Sequence, residues 1–205
     1  MNGHEWLALW YLRLNGYFTL PNFMAHRRGG ALTEVDVLGV RFPYSQEFED
    51  DPNLKIAKDR TDIVFAEAKG KRIEELNGPW GSPEHGALDY VLKRVGVAPA
   101  AQVEELAKGL YAKRVADVDG YRIRIVAFAD TISEELLKHG VTFVSWAQVL
   151  DFIRKRFQGN AKLKRDHEAW DEFGKYLWDT VMNGADADRL FHGWDTRLRR
   201  RINKR

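Results

Sequence analysis

Two apolar runs in the first third of the chain carry charged residues at spacings that could build a metal site. The run ALTEVDVLGVRFP contains Glu34 and Asp36, and the run TDIVFAEAKG contains Glu67 and Lys69. Both runs are rich in Val, Ile and Phe, which predicts β-strands. Because side chains alternate across a strand, each pair shares one face of its strand. Acids are costly to bury unless they are paired or bound to metal, so the pattern predicts that these carboxylates converge on a divalent cation.

The order of these residues resembles a known nuclease motif. Asp36, followed after an interval by Glu67-Ala68-Lys69, resembles the pattern of the PD-(D/E)xK restriction-endonuclease-like nuclease superfamily. The resemblance extends to the amino terminus, where Gly3-His4-Glu5 opens an apolar helix that ends at Asn15-Gly16, as in the Holliday-junction-resolvase-like branch. It covers about the first third of the chain. The residue directly before Asp36 is not the proline of the motif, and His4 stands where that branch has a small residue.

The resemblance implies a divalent-metal-dependent DNA endonuclease that hydrolyses phosphodiester bonds, in DNA repair, recombination or defence against foreign DNA. It implies Mg²⁺ as the cofactor, with Mn²⁺ able to substitute, held by the carboxylates of Asp36 and Glu67 and the carbonyl of Ala68. Lys69 would orient the attacking water or stabilise the developing negative charge. Glu5 would complete the metal shell through water or a second ion.

Two of these acids have structural alternatives. A carboxylate at the start of a helix is stabilised by the helix dipole alone, which would account for Glu5. Glu34 is a weaker candidate than Asp36, because a salt bridge to Lys69 or to an arginine would satisfy it equally. Two other classes of protein therefore stay open. One is a non-catalytic nucleic-acid-binding or scaffold module of a larger assembly that keeps the nuclease fold, and the other is a non-nuclease α/β protein whose acids form ordinary ion pairs.

The net charge is only +2, so a site for a polyanion must come from local clusters of cations. Seven cations in three such clusters are the predicted contacts with DNA: Arg27 and Arg28 in a glycine-flanked turn, Lys71 and Arg72 after the second strand, and Arg199, Arg200 and Arg201 near the end. A solvated turn and a frayed helix end are the structural alternatives for the first and third clusters. The predicted partner is DNA. The sequence leaves open a homodimer or a partner protein of a larger system.

The pattern of elements predicts an α/β fold with a mixed central β-sheet flanked by helices. We expect residues 1–157 to form a nuclease-like core and residues 158–205 to form a C-terminal helical extension. Trp80, in a loop rich in Gly and Pro, is interpreted as a core anchor in preference to a base-stacking residue.

Individual residues predict where elements end or are exposed. Pro21 lies inside the first strand, which predicts an edge strand or a break. Thr131 and Glu134 predict a capping box for a short helix, and Ser145 predicts the cap of the next one.

Composition excludes several classes of site. Hydrophobic residues at 44% and charged residues at 30% are typical of a globular domain with a sizeable core. The chain has no cysteine, which excludes disulfides, thiol nucleophiles and Cys-ligated zinc, and fits a reducing cytoplasm. We expect no signal peptide, because no cationic segment precedes the first apolar run, and no apolar run is long enough to cross a bilayer.

Overall fold

The computed structural model describes residues 1–25, 33–45, 59–76, 78–118, 120–159 and 170–202. Its helices are α1 (Gly3–Leu14), α2 (Gly78–Gly81), α3 (Ala87–Val95), α4 (Ala100–Lys113), α5 (Glu134–Lys138), α6 (Trp146–Gly159), α7 (Glu172–Met182) and α8 (Ala187–Ile202), with a 3₁₀ turn at Pro83–His85. Its strands are β1 (Phe18–Ala25), β2 (Thr33–Arg41), β3 (Thr61–Ala68), β4 (Arg72–Ile73), β5 (Val115–Val118), β6 (Tyr121–Ala129), β7 (Thr131–Ile132) and β8 (Thr142–Ser145).

Six of the strands form one mixed sheet, which confirms the predicted α/β class. The order is β1-β2-β3-β6-β5, and β8 pairs with the other half of β6. The pairs β3–β6 and β6–β8 are parallel, whereas β1–β2, β2–β3 and β5–β6 are antiparallel. β1 lies at the edge, as Pro21 predicted. Strand β5 was not predicted, because it has only four residues and follows directly on α4.

A hydrophobic core lies on each face of this sheet. The first, here called the α1 core, joins α1 and the sheet to residues of α6, α7 and α8. The second, the α3–α4 core, joins the opposite face of the sheet to α2, α3 and α4. α1 is therefore buried between the sheet and the later helices, and the predicted C-terminal helices pack against the first element of the chain. No helix in the described part of the chain combines the length and apolar character needed to cross a membrane.

Trp80 belongs to the α3–α4 core, which confirms its interpretation as an anchor. It is 1% exposed, and its indole N–H donates to Thr33 Oγ at 2.8 Å. The Arg114 side chain donates to the Trp80 carbonyl at 2.9 Å. These bonds fix α2 against the sheet and leave the Trp80 ring no access to a ligand.

The helix caps were predicted in part. Ser145 Oγ accepts a hydrogen bond from the Gln148 amide at 3.2 Å, which confirms it as the cap of α6. The predicted cap at Thr131 is wrong, because α5 is capped by Ser133, whose Oγ accepts from the Leu136 amide. Thr131 instead pairs in β7, where its amide donates to the Lys71 carbonyl.

A buried charged network crosses the α1 face of the sheet near the start of β3. Asp62 is fully buried and accepts hydrogen bonds from Tyr17 Oη at 2.6 Å and from Arg124 Nη2 at 2.7 Å. Arg124 also donates to Tyr17 Oη at 3.1 Å, so each polar group in the network has a partner. Burial and the negative charge of Asp62 raise the pKa of Tyr17 far above its usual range, which keeps the phenol protonated.

We expect Asp62→Asn to destabilise the fold by about 3–5 kcal/mol, because it leaves the Arg124 cation buried without a compensating charge. Urea denaturation measures the change. Asp117→Asn is the control, since Asp117 pairs with Arg60 and Arg122 at the surface, and it should leave the urea midpoint nearly unchanged. Equal midpoints for wild type and Asp62→Asn would show that the network carries no stability.

Candidate functional site

The predicted acids lie where the ladder between β2 and β3 ends. The last pair in that ladder is Val37 opposite Ala66, so Asp36 and Glu67 come just past its end. The Ala68 amide donates to Asp36 Oδ2 at 2.8 Å, where a longer ladder would have supplied a main-chain carbonyl. β3 meanwhile stays paired with β6 as far as Ala68. β2 and β3 therefore stop pairing at this point, and the Asp36 side chain bridges the gap between them. This gap, past Val37 and Ala66, is here called the opening.

The alternation of side chains in β2 also changes at Asp36. Val35 packs in the α3–α4 core, whereas Val37 packs in the α1 core. Residues two apart share one face in a regular strand, so the pleat must switch between them. In β1, Pro21 pairs with Val37 and Phe23 pairs with Val35, which places Asn22 opposite Asp36. Asn22 has a positive φ of 50°, so both strands are irregular at this one position.

The left-handed backbone at Asn22 yields a prediction. Asn and Gly tolerate positive φ, but a β-branched residue does not. We expect Asn22→Gly to fold with nearly wild-type stability and Asn22→Val to lose about 1–2 kcal/mol in urea denaturation. Leu20→Val, at an exposed position of the same strand, is the control. If Asn22→Val were as stable as Asn22→Gly, the positive φ would not be a constraint on this strand.

Glu67 and Lys69 lie together, as their spacing predicted. Glu67 is 2% exposed and lies 3.5 Å from the Lys69 ammonium, measured between Oε1 and Nζ. The Lys69 side chain is about half exposed, at 48%, so its charge reaches solvent beside a buried carboxylate. The Lys69 amide donates to the Phe128 carbonyl at 2.9 Å, which holds this residue in line with β6. An amine and an acid are thus fixed at the rim of the opening.

Burial raises the pKa of Asp36 above its usual range, although the Ala68 amide and the Lys69 charge oppose the shift. Burial also raises the pKa of Glu5, and the charges of Asp36 and Glu34 raise it further. Glu5 therefore lies within electrostatic reach of both acids of β2. Glu34 makes no ion pair with any cation in the described ranges, so the salt bridge to Lys69 or an arginine, named above as its structural alternative, is not seen there; Lys69 pairs with Glu67.

The Glu5 carboxylate also stabilises the start of α1, which was the structural alternative to a metal role. It forms a capping box with Asn2, in which Glu5 Oε2 accepts from the Asn2 amide at 3.0 Å and Asn2 Oδ1 accepts from the Glu5 amide at 3.0 Å. The other carboxylate oxygen accepts from Asn2 Nδ2 at 2.7 Å. Glu5 is within electrostatic reach of Asp36, but both of its carboxylate oxygens are already engaged in the helix cap.

Trp146 fixes the chain just after Lys69, and the sequence analysis missed it. Its indole N–H donates to the carbonyls of Lys69 and Gly70, at 2.9 and 3.0 Å. The same segment is close to α1, because a Cβ added at Gly70 would approach His4 Nε2 to 3.2 Å. Trp146 lies 76 residues beyond Gly70 at the start of an apolar helix, where a tryptophan indicates a core position and nothing more.

The predicted DNA-contacting cations are dispersed. Lys71 and Arg72 are exposed close to the opening, and Arg72 pairs with Glu74 at 2.7 Å. Arg199 and Arg200 are exposed on α8. Arg27 and Arg28 lie outside the described residues, and Arg201 lies in α8, where its side chain is not described. The structure therefore places one pair of cations beside the candidate site and another on the last helix.

The acids do not form a dense cage. Within the ranges that the structure describes, no group of three or more His, Asp or Glu side chains is close enough to hold a metal ion by itself. Comparisons of the chain with protein-family models, with curated proteins and with solved structures give no match. The geometry around Asp36 and Glu67 therefore carries the functional argument.

The buried charge of Asp36 yields a second prediction. In EDTA, we expect Asp36→Asn to raise the melting temperature, because the amide avoids the cost of burying a charge and its oxygen can still accept from the Ala68 amide. The matched control is Asp62→Asn, the same substitution in a paired network, which should lower the melting temperature. Thermal unfolding of both variants measures the sign of each change in melting temperature. A fall for Asp36→Asn as well would mean that Asp36 is there to stabilise the fold.

Proposed function

We propose that this protein is a divalent-metal-dependent endonuclease that hydrolyses DNA at the opening between β2 and β3. The observation that carries the proposal is the hydrogen bond from the Ala68 amide to Asp36 Oδ2. It brings one acid of β2 directly to the segment that holds Glu67 and Lys69. The two halves of the motif, 31 residues apart in sequence from Asp36 to Glu67, thereby become one site.

The residues at the opening fit a magnesium ion. Mg²⁺ in proteins is usually bound through one or two carboxylates, and waters and substrate phosphates fill the other positions. Asp36 and Glu67 supply two carboxylates, and the carbonyl of Ala68 directly follows Glu67 in the chain, so a cage of three acids is not required. Glu5 would act from a second position through water. A bound divalent ion supplies Lewis acidity and a more acidic water for attack on phosphorus.

The protein's own groups have distinct roles in this proposal. Asp36 and Glu67 would hold the metal ion at the opening, where it would meet the scissile phosphate. Lys69, held next to Glu67 by its backbone bond to β6, orients the attacking water or stabilises charge on the phosphate oxygens. Trp146 is a positioning residue, because it binds the carbonyl of Lys69 and not the reacting atoms.

A non-catalytic nucleic-acid-binding or scaffold module is the second candidate, and one observation favours it. Both oxygens of Glu5 accept hydrogen bonds from Asn2, so the helix acid is engaged in the fold itself. A protein that only binds DNA would keep the opening and the exposed cations without cleaving. Assays of cleavage and of binding separate the two functions.

The proposal predicts metal-dependent cleavage that is lost in three variants. Glu67→Gln, Asp36→Asn and Lys69→Ala should each reduce cleavage by about two orders of magnitude, because each removes stabilisation of the transition state. The two acid variants should also weaken Mg²⁺ binding, whereas Lys69→Ala should not. The assay uses supercoiled, linear, single-stranded and four-way-junction DNA with Mg²⁺, Mn²⁺ or EDTA.

Glu74→Gln is the control for these variants, since Glu74 is an exposed acid near the opening that pairs with Arg72. It should cleave like wild type. Wild-type rates in Glu67→Gln, Asp36→Asn and Lys69→Ala at equal metal would end the nuclease proposal. Tight DNA binding by wild type without cleavage in any metal would favour the binding module.

A further inference from the structure

A cation-lined groove lies between the last two helices, away from the opening between β2 and β3. It has a volume of about 410 Å³ and is lined by residues of α7 and α8: Glu172, Lys175, Trp194, Arg197, Leu198 and Arg200. Three of these six side chains are cations and one is an acid. The groove is therefore a positively charged surface feature formed by two helices of the α1 core.

The three cations of this α7–α8 groove are available to a ligand. Lys175, Arg197 and Arg200 are all exposed, and none of them lies within 4.0 Å of an acidic oxygen among the described residues. The chain has no acidic residue after Asp195, so the second half of α8 has no neutralising charge of its own. Three cations against one acid leave the groove with a net positive charge, which attracts anions over a distance set by the salt concentration.

Arg197 is held in a defined orientation. Its guanidinium lies over the Tyr176 ring, 4.6 Å from the ring centroid. Tyr176 is itself fixed, because its hydroxyl donates to the Leu190 carbonyl at 2.8 Å. A guanidinium stacked on a ring keeps its in-plane N–H donors free, and that fork of donors matches the oxygens of a phosphate. The groove thus offers one oriented donor fork beside two exposed cations.

The groove and the candidate site are attached to the same turn of α1. Glu5 lies within electrostatic reach of Asp36, while the next residue, Trp6, stacks on Phe173 of α7 at a centroid distance of 5.7 Å and meets Trp194 of α8 at 6.4 Å. A duplex carries about one negative charge per 1.7 Å of its axis, so a polyanion can reach both places where a single small anion reaches one.

We propose that the α7–α8 groove binds the phosphodiester backbone of the nucleic acid on which the candidate site acts. This inference rests on the proposed nuclease function and adds the surface that grips the substrate. Contacts with the backbone carry no sequence information, so the groove contributes affinity and register. Lys175 and Arg197 join the predicted Arg200 as the contacting cations.

The test is the salt dependence of DNA binding, measured in EDTA so that no cleavage occurs. The variant Lys175→Gln/Arg200→Gln removes two cations and leaves Arg197 on Tyr176. Each phosphate contact contributes about 0.9 to the slope of log K against log salt, so we expect the slope to fall by about 1.8. The weakening should be equal for duplexes of different sequence.

The matched control is Lys93→Gln/Arg94→Gln, which removes the same two residue types from an exposed part of α3 on the other side of the sheet. It should keep the wild-type slope. The groove proposal would be overturned if Lys175→Gln/Arg200→Gln kept the wild-type slope, or if both double variants lost the same amount of slope. It would also be overturned if the wild-type protein bound no duplex. If the groove variant loses its slope as expected but wild type cleaves nothing with Mg²⁺ or Mn²⁺, the nuclease function fails while backbone binding by the groove stands.

Discussion

The end of the ladder between β2 and β3 determines the geometry of the candidate site. Past Val37 and Ala66 the two strands no longer exchange main-chain hydrogen bonds, so an amide of β3 becomes available to a side chain of β2. A carboxylate accepts that bond more strongly than a neutral group, because the acceptor is charged. If the two strands had stayed paired, a main-chain carbonyl would have taken the place of the Asp36 carboxylate as the partner of this amide. Burial raises the pKa of Asp36, so a charged carboxylate at this half-buried position costs folding free energy.

The helices on the α1 face of the sheet hold this region in place. α1 lies between the sheet and α6, α7 and α8, and it brings Glu5 within electrostatic reach of Asp36 and Glu34. Trp146, from the start of α6, holds the carbonyls that follow Glu67. Asp171 at the start of α7 accepts hydrogen bonds from Trp10 and Arg13 of α1, so the last helices are tied to the same element. The site and the α7–α8 groove thus depend on a single buried helix.

The sequence predicts the elements and the residues of the motif better than it predicts how they meet. Runs of Val, Ile and Phe indicate strands because burial on both faces leaves a strong local pattern, and β3 is buried along its whole length. The contact of Glu67 with Lys69 follows from a spacing of two residues at the end of one strand. These features depend on neighbours in sequence, so they can be read from a single chain.

The remaining features depend on residues far apart in the chain. The pleat switch at Asp36 requires Asn22 of the neighbouring strand, and neither residue indicates the switch by itself. Nothing near Arg124 in the sequence indicates its partner, whereas the structure pairs it with Asp62 in the core. The basic tail was predicted as a row of cations, but the groove also needs Lys175 from α7. The pleat switch, the buried ion pair and the groove are all determined by tertiary contacts and not by the local preferences of the residues involved.

The central claim is that Asp36 and Glu67 bind one divalent ion at the end of the ladder. Crystals grown with Mn²⁺ test it most directly, because the anomalous signal of manganese locates the ion without reference to activity. The account predicts a peak at the opening, with carboxylate oxygens of both Asp36 and Glu67 about 2.0–2.2 Å away, a distance close to that of a magnesium site. Well-ordered Asp36 and Glu67 side chains with no peak between them at saturating Mn²⁺, or a peak only elsewhere on the protein, would contradict it.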